Sequence, residues 1–407
     1  MNIHSTSATS KKVKVNVVTG QGGGGHYATY CALRAVAEQQ QLPWEFSVTD
    51  MDEIITDLTS QNQIQNAYEI FGFSGHDLYN LMLKSGWTWL WPLKMWLNKF
   101  LVKLNYEVGV NFFEQHWREQ QPDLVVSVMP LYNQGLSASL KKVKPETPYI
   151  TLMIDFADYP PAFWLEPETD IYTICGTDKA VEQAHSLGVK AERILPTSGM
   201  VIHPRFYKPV PNNVQDERKL LGLAPERLTG IVMFGGHGSK VMLDIAKKLE
   251  SFGDKLQLIF LCGRNEELAT ALINSQGSQK RFVMTFTEDV PYFMHLADFF
   301  IGKPGPGSLS EALVMKLPVI TECNAATLIH EKYNTEWVKE KQVGLVLRNF
   351  SQIHKAVAQF LVPETFAYYR DNVAALNNQA VFEVIELLQN ITSCQNTTRA
   401  IELQKQN

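Results

Sequence analysis

The stretch Val13–Val36, VKVNVVTGQGGGGHYATYCALRAV, runs from a continuous β-rich segment through a glycine-crowded loop into a helix-like pattern. A strand, a glycine loop and a helix in this order predict the first unit of a parallel α/β sheet. Gly20, Gly22 and Gly25 spell G-x-G-x-x-G, which is typical of dinucleotide-binding folds. His26 follows the loop directly, so the loop is also a candidate for part of a catalytic site.

Three interpretations of this loop are open from the residues alone. A dinucleotide site needs an acidic residue about 20 residues further on, and Asp50 or Asp52 after the second predicted strand lies a little late for it. A tight strand-to-helix turn with positive φ would also use glycines. The third interpretation, which the run Gly23–Gly25 in front of His26 favours, is a loop that lets an acceptor substrate approach the imidazole.

Strand and helix patterns alternate along the rest of the chain and restart once. Apolar runs of strand length follow each other, then a segment rich in proline and charge intervenes, and a second strand with a glycine loop begins at Leu228. This alternation predicts an α/β protein with two halves of buried parallel strands. The predicted units are an N-terminal domain at 1–205, a linker at 206–227, a C-terminal domain at 228–365 and a helical tail at 366–407 that packs back on the first domain.

Bulk composition narrows the function classes. A formal charge of −5 over 407 residues gives no reason to expect a nucleic acid partner. The five cysteines are scattered without a C-x-x-C pair, which argues against a disulfide framework or a zinc site. The first residues lack an apolar signal-peptide core, and no run is apolar enough to span a bilayer, so we expect neither a secretory signal nor a transmembrane helix.

His26 falls at the first turn of the predicted helix that follows the loop. A helix N-terminus disfavours the imidazolium form, so a neutral ring is expected here. A neutral imidazole can take a proton from a hydroxyl nucleophile near pH 7. His26 is therefore the predicted base.

Two further glycine loops suit phosphate binding. MFGGHGSK contains Gly236 and Gly238 at a predicted helix start, where backbone N–H groups attract anions. GKPGPGSLSEALVMKLPVI at Gly302–Ile320 is more specific, because a lysine and a Gly/Pro loop precede a helix in which Ser308 is the predicted N-cap. Glu311, one turn further on, is placed to accept hydrogen bonds from ribose hydroxyls.

One segment, 64–117, does not fit the alternation and is rich in tryptophan. An amphipathic helix face over 93–104 with lysines beside it is typical either of a helix at a membrane interface or of one packed on its own domain. The predicted membrane contacts are Trp87, Trp89, Trp91 and Trp96.

Together, GGGGHYA, MFGGHGSK, CGRNEEL and GKPGPGSLSEALVMKLPVI resemble the monogalactosyldiacylglycerol synthases of glycosyltransferase family 28, from about Val13 to about Phe360. The resemblance implies a GT-B fold, in which two Rossmann-like doubly wound domains face each other across a cleft. It implies an N-terminal domain that holds a lipid acceptor at the membrane surface and a C-terminal domain that holds a UDP-sugar. It also implies transfer with inversion and without a bound metal or other cofactor.

The resemblance carries over to individual positions. His26 and Asp155 match the family's catalytic positions, and Gly23, Gly24 and Gly25 match its acceptor loop. The donor-binding positions are Gly236, Gly238, Gly263, Arg264, Lys303, Gly305, Gly307, Ser308, Glu311 and Glu331.

Two departures bear on the substrates. The family's PGQE turn reads ATLIHE here, with Leu328, Ile329 and His330 where polar sugar contacts are expected, so galactose, glucose and N-acetylglucosamine are all open. Tyr27 follows His26 where a basic residue is more usual in the family.

The sequence thus predicts an inverting hexosyltransferase from a UDP-sugar to a membrane lipid hydroxyl, preferably that of diacylglycerol. We expect a peripheral protein on the cytoplasmic side of a membrane. The alternatives are transfer of N-acetylglucosamine to a polyprenyl or saccharolipid acceptor, an NAD(P)-dependent oxidoreductase and a non-catalytic UDP-binding protein.

Overall fold

A computed structural model describes residues 12–20, 24–60, 91–167, 169–209, 213–275 and 277–405, with side chains except at 59, 91–96 and 395–405. Two parallel sheets, each of six strands in this part of the chain, form the centres of two domains.

The first sheet is built around a valine-rich strand that is buried on both faces. Its strands are β1 (Val13–Thr19), β2 (Trp44–Asp50), β3 (Leu124–Ser127), β4 (Tyr149–Leu152), β5 (Tyr172–Cys175) and β6 (Ile194–Pro196). They pair in the order β2-β1-β3-β4-β5-β6. Val15 lies opposite Phe46 on one side and Leu124 on the other. β-branched residues on both faces suit a strand that helices cover from both sides.

Helices form a core on each face of this sheet. Val17 packs with Leu33 on one face, whereas Val18 packs with Trp117 on the other. The helices are α1 (Gly25–Gln39), α2 (Met51–Ser60), α3 (Trp91–Leu104), α4 (Tyr106–Gln120), α5 (Asn133–Val143) and α6 (Asp178–Ser186).

The second sheet repeats the arrangement. Its strands are β7 (Leu228–Met233), β8 (Leu256–Leu261), β9 (Arg281–Met284), β10 (Phe299–Gly302), β11 (Val319–Glu322) and β12 (Gly344–Leu347), in the order β12-β11-β10-β7-β8-β9. Every residue of β8, LQLIFL, is buried, as expected of an inner parallel strand.

The chain between the sheets contains structure of its own. Within the predicted linker lies helix α7 (Val214–Leu220), whose buried Arg218 donates from Nη2 to Asp298 Oδ2 at 2.9 Å in the second domain. The remaining helices are α8 (Val241–Leu249), α9 (Glu266–Asn274), α10 (Val290–His295), α11 (Pro306–Val314), α12 (Ile329–Glu340), α13 (Ile353–Phe360), α14 (Pro363–Ala375) and α15 (Ala380–Lys405).

The last helix, α15, lies against the first domain. Its fully buried Val381, Val384 and Leu388 join the core beneath α1. The chain crosses back just before it, where Asn378 Nδ2 donates to the Met200 carbonyl at 2.9 Å.

The domains also touch through one wall of the cleft between them. The rings of Phe156, after β4, and Trp337, on α12, lie 5.1 Å apart between centroids. Each sheet changes winding direction at one point, between β1 and β3 and between β7 and β10. The strand ends at such points are where doubly wound sheets bind ligands. The prediction of two doubly wound domains is confirmed.

Candidate active site

The first switch point brings His26 against the loop that follows β3. The imidazole Nδ1 lies 2.5 Å from the carbonyl oxygen of Val128. A carbonyl only accepts hydrogen bonds, so Nδ1 carries the proton and Nε2 of the neutral ring is left with a lone pair. The backbone thereby fixes the tautomer that a general base requires.

The surroundings of His26 keep it neutral at pH 7. Burial lowers its pKa, and this effect outweighs the Val128 carbonyl and the carboxylates of Asp155 and Asp52, all of which raise it. The helix N-terminus was predicted to keep the ring neutral, whereas burial is the largest cause in the structure.

Asp155 lies beside this imidazole and is almost completely buried. Its Oδ2 accepts a hydrogen bond from the indole Nε1 of Trp164 at 2.9 Å. Burial raises the pKa of Asp155 to about 6, and the bond from Trp164 opposes this rise. The carboxylate is therefore largely ionised at pH 7.

Trp164 is a site residue that the sequence analysis missed. Its ring stacks against His26, with centroids 6.5 Å apart and an angle of 26° between the planes. Asp158 holds it in place by accepting hydrogen bonds from the backbone N–H groups of Ala162, Phe163 and Trp164. The spacing of Asp155 and Asp158 from Trp164 forms no recognisable motif, so the sequence did not indicate that Trp164 stacks on His26.

The structure describes the glycines at the two ends of the first loop, Gly20 at its start and Gly24 and Gly25 at its end. Gly24 has a φ of 79° and caps α1, and the Cβ position of a residue there would meet open space. A Cβ on Gly20 would lie 2.8 Å from Asp52 Oδ2, so this glycine lets the carboxylate approach the backbone. Gly25 begins α1, while Gly23 lies outside the described residues.

On the second domain, the loops after β7 and β8 interlock. A Cβ on Gly263 would lie 2.3 Å from the Gly236 carbonyl oxygen, and one on Gly238 would lie 2.7 Å from the Cys262 carbonyl oxygen. The backbone N–H of Arg264 donates to the Gly236 carbonyl at 2.8 Å. These glycines have positive φ at 238 and 263, so only glycine suits the two loops sterically.

The Gly/Pro loop after β10 joins the same cluster. Lys303 Nζ lies 4.0 Å from Oε1 of the buried Glu331 on α12. A Cβ on Gly305 would touch both of these side chains and Ser308 Oγ. Gly307 lies in the first turn of α11 with open space at its Cβ position.

The predicted cap of α11 is wrong. The N-cap residue is Gly305 without a side-chain hydrogen bond, because the helix already begins at Pro306. Ser308 sits inside the first turn, and its Oγ points back to the Gly305 carbonyl at 3.5 Å. The backbone N–H groups at the helix start are therefore not covered by a capping side chain.

Glu311 lies on the same helix in an environment of low polarity. Burial raises its pKa to about 7, and the positive charge of Arg205 partly offsets this rise. A carboxylate poised in this way can accept hydrogen bonds from a diol when it is ionised.

His330 connects the two sides of the cleft. It is the second residue of α12. Burial lowers its own pKa, so the ring is neutral at pH 7, and its protonated form would lower the pKa of His26 across the cleft. Asn334, one turn further on, donates from Nδ2 to the Pro304 carbonyl at 2.7 Å and so ties α12 to the loop after β10. The base of the first domain and the loops of the second therefore face one cleft.

The predicted membrane contacts fall outside what the structure describes. Trp87 and Trp89 lie in 61–90, and the side chains of Trp91 and Trp96 are among those not described. On the described part of α3, Leu101 is buried while Phe100 and Leu104 are 50% and 58% exposed. Across the described residues, no helix is both long and apolar enough to cross a bilayer, and no three metal-binding side chains come together.

Two protein families match consecutive parts of the chain. Residues 48–202 match the monogalactosyldiacylglycerol (MGDG) synthase family, and residues 231–381 match the glycosyltransferase family 28 C-terminal domain. The chain belongs to the MGDG synthase-like glycosyltransferases of family 28. This confirms the family that the glycine loops predicted.

Relatives of this MGDG synthase-like chain match most of its length. It is 26% identical to a probable monogalactosyldiacylglycerol synthase, chloroplastic, from Nicotiana tabacum over 86% of the chain, which spans 65% of that protein. It is 24% identical to the processive diacylglycerol β-glucosyltransferase of Bacillus subtilis over 71% of the chain and 74% of that protein. The MurG crystal structure from Acinetobacter baumannii is similar in fold, with a TM-score of 0.59 at 14% identity over 93% of this chain and 99% of that one. The two sheets and this likeness confirm the GT-B fold.

Proposed function

We propose that this protein is an inverting glycosyltransferase that moves a hexose from a UDP-sugar to the free hydroxyl of diacylglycerol. The observation that carries the proposal is that a general base and a set of phosphate-binding groups face the same cleft. A neutral imidazole with its Nε2 lone pair available lies on one side, and a lysine with interlocked glycine loops lies on the other. The names of the plant and bacterial relatives support the acceptor.

On the acceptor side, His26 Nε2 takes the hydroxyl proton as the oxygen attacks the anomeric carbon. The new C–O bond forms as the bond from that carbon to the diphosphate oxygen breaks, which inverts the anomeric centre and releases UDP. The imidazolium that results is stabilised by the carboxylates of Asp155 and Asp52, both of which favour its charged form.

The charges around His26 also favour a neutral acceptor. Asp155 and Asp52 act on the imidazole as negative charges. A lipid phosphate brought to the same place would be repelled by both, whereas an uncharged hydroxyl would not. This supports diacylglycerol over the polyprenyl phosphate class of acceptor.

On the donor side, negative charge develops on the departing diphosphate. Lys303 and the uncapped N–H groups at the start of α11 are preorganised donors for it. Glu311 accepts from the ribose, and Arg264, whose guanidinium lies 5.1 Å from the Phe286 ring centroid, forms with that exposed ring a platform for the base. We expect no metal requirement and a peripheral position at a membrane surface on the cytoplasmic side.

A substrate panel tests this function. Purified protein is incubated with UDP-galactose, UDP-glucose or UDP-N-acetylglucosamine and vesicles that contain diacylglycerol, undecaprenyl phosphate or a saccharolipid. We expect a glycosyl-diacylglycerol with galactose or glucose, unchanged by EDTA. Transfer only to the phosphate or saccharolipid acceptor, or no transfer at all, would contradict the proposal.

A further inference from the structure

Helix α3 touches the turn that ends at Trp164, although the two are far apart in the chain. Nζ of Lys99, a partly buried residue of α3, donates a hydrogen bond to the carbonyl oxygen of Pro161 at 2.7 Å. The next residue of the helix, Phe100, is exposed. One ammonium group therefore joins a helix that presents an apolar ring to solvent to the backbone beside the active site.

The turn 158–164 needs contacts that hold its shape. Ala162 has a φ of 56°, in the left-handed region that costs free energy for a residue with a Cβ. Within the turn, Asp158 accepts hydrogen bonds from three consecutive backbone N–H groups at 2.7, 2.9 and 2.7 Å. From outside the turn, Lys99 holds the carbonyl of Pro161, the residue directly before the strained one.

The charge of Lys99 supports the same turn. Burial raises the pKa of Asp158, whereas the three backbone hydrogen bonds and the Lys99 ammonium oppose this rise. The ionised carboxylate has only acceptor sites, which is the form that three N–H donors require. Lys99 therefore stabilises the turn both through its hydrogen bond to Pro161 and through its charge.

A second contact reaches the turn from the loop after β3. The backbone N–H of Leu131 donates to the Phe163 carbonyl at 2.9 Å. This loop also contains Val128, whose carbonyl fixes the tautomer of His26. The turn is thus held by the sheet's own loop on one side and by α3 on the other.

The shape of the turn decides where Trp164 lies. The indole Nε1 donates to Asp155 at 2.9 Å, and the ring stacks on His26 with centroids 6.5 Å apart. Both contacts reach the general base or the carboxylate that supports it. A displacement of the turn by about 1 Å would misplace these groups, and rates of enzymatic steps are sensitive to shifts of that size.

We propose that Lys99 is a positioning residue of the transfer reaction, which holds the Pro161 carbonyl so that Trp164 stays stacked on His26. This inference rests on the proposed function, because it requires that His26 acts as the base. It goes beyond that function by linking α3, which exposes Phe100 and Leu104, to the rate of the chemical step as well as to lipid.

The test compares Lys99→Met, Lys99→Arg and Lys103→Met in the full chain. Methionine is of similar length but cannot donate a hydrogen bond, whereas arginine can donate to the same carbonyl. Lys103→Met is the matched control, because Lys103 is exposed on the next turn of α3 and its replacement removes the same charge.

Transfer from UDP-galactose or UDP-glucose is measured with two acceptors. One is diacylglycerol in phosphatidylcholine vesicles, which carry no net charge, and the other is dihexanoylglycerol dissolved without vesicles. The second acceptor separates an effect on the chemical step from an effect on membrane binding.

We expect Lys99→Met to lower kcat about tenfold with both acceptors while the KM for the UDP-sugar stays within about twofold of the wild type. Lys99→Arg and Lys103→Met should keep kcat within about threefold of the wild type. An unchanged kcat in Lys99→Met, a loss with vesicles alone, or an equal loss in either of the other two variants would overturn the inference and leave the proposed function standing. If the wild type transfers hexose to neither acceptor, the proposed function itself fails.

A double-mutant cycle tests whether Lys99 acts through Trp164. Trp164→Leu removes the stacked ring and its N–H and should slow transfer by itself. Adding Lys99→Met to Trp164→Leu should then slow transfer by less than about threefold, because the group that Lys99 positions is already gone. A further loss of about tenfold would show that Lys99 acts independently of Trp164 and would contradict the proposal. The comparison of the Lys99 variants with Lys103→Met holds whether or not Trp164→Leu folds.

Discussion

At the scale of single residues, the site depends on contacts between positions far apart in the chain. The sequence predicted His26 because a histidine followed glycines after a strand. It did not predict that the Val128 carbonyl fixes the tautomer or that Trp164 stacks on the ring. A backbone carbonyl leaves no mark in a sequence, and the stacking depends on how the loop after β4 folds around Asp158. Asp155 was predicted only through the family resemblance.

Replacing Asp155 tests the electrostatic support of the base. In Asp155→Asn the carboxylate that raises the pKa of His26 is gone, so this pKa falls further below its usual value. The base is active when neutral, so the acidic limb of the kcat/KM profile should move to lower pH. The rate on the plateau should fall by about tenfold to a hundredfold, because the imidazolium formed in the reaction is less stable.

Glycosyl transfer at a series of pH values gives this profile. Asp170→Asn is the matched control, because Asp170 is a partly exposed carboxylate that pairs with Arg193 at 2.6 Å away from the cleft. A limb that stays in place or moves to higher pH would show that Asp155 does not act on His26.

At the scale of elements, the glycine loops combine predictable and unpredictable features. Turns after β1, β7 and β10 were predicted correctly, because glycine and proline terminate strands and helices in recognisable ways. The interlocking of the loops after β7 and β8 was not predictable, since it depends on how closely two strand ends lie. The N-cap of α11 was predicted three residues too late, at Ser308 and not at Gly305, because Pro306 is itself a favourable first helical residue.

Because the loops after β7 and β8 interlock, we expect adding one methyl group at Gly263 to lower both stability and donor affinity. Gly263→Ala places a Cβ against the Gly236 carbonyl oxygen at a residue with a φ of 60°. Backbone strain and a clash with backbone that cannot move aside should cost about 3 kcal/mol and lower the melting temperature by on the order of 5–10 °C. UDP-sugar affinity should fall as well, because the donor loop must shift.

Differential scanning calorimetry and titration of the sugar nucleotide measure both effects. Gly222→Ala is the control, because Gly222 has a φ of 74° but open space around its Cβ position. It should cost only about 1 kcal/mol of backbone strain and leave donor binding intact. Equal losses in the two variants would mean that the contact with Gly236 does not matter.

At the scale of the whole molecule, the two parallel α/β halves were predicted from the alternation of strands and helices, whereas the order of the strands within each sheet was not. The return of α15 to the first domain was part of the predicted organisation, and the structure shows its Val384 and Leu388 buried there. The sequence could not tell which face of α3 is exposed. It predicted one amphipathic face over 93–104, yet on that face Leu101 is buried while Phe100 and Leu104 are exposed, because burial depends on how α3 meets α4.

We expect the exposed apolar side chains of α3 to contribute to membrane binding. Phe100 and Leu104 expose apolar surface on the domain that carries His26. Inserting each side chain into the interface should contribute about 1–2 kcal/mol. The double variant Phe100→Glu/Leu104→Glu should therefore bind diacylglycerol vesicles at least about tenfold more weakly while binding UDP-sugar normally.

Vesicle sedimentation measures this binding. Leu220→Glu is the control, because Leu220 is 77% exposed but belongs to α7 on the second domain. If the control loses vesicle binding and the double variant keeps it, the membrane-facing surface lies elsewhere.

The most direct test of the central claim is transfer of labelled hexose from UDP-galactose or UDP-glucose to diacylglycerol by the purified protein and by His26→Ala. We expect a glycosyl-diacylglycerol with the opposite anomeric configuration to the donor, and UDP in equal amount. His26→Ala should bind the UDP-sugar as the wild type does and transfer it at least about a hundredfold more slowly. Full transfer by His26→Ala, or a product that retains the anomeric configuration, would contradict the proposed mechanism.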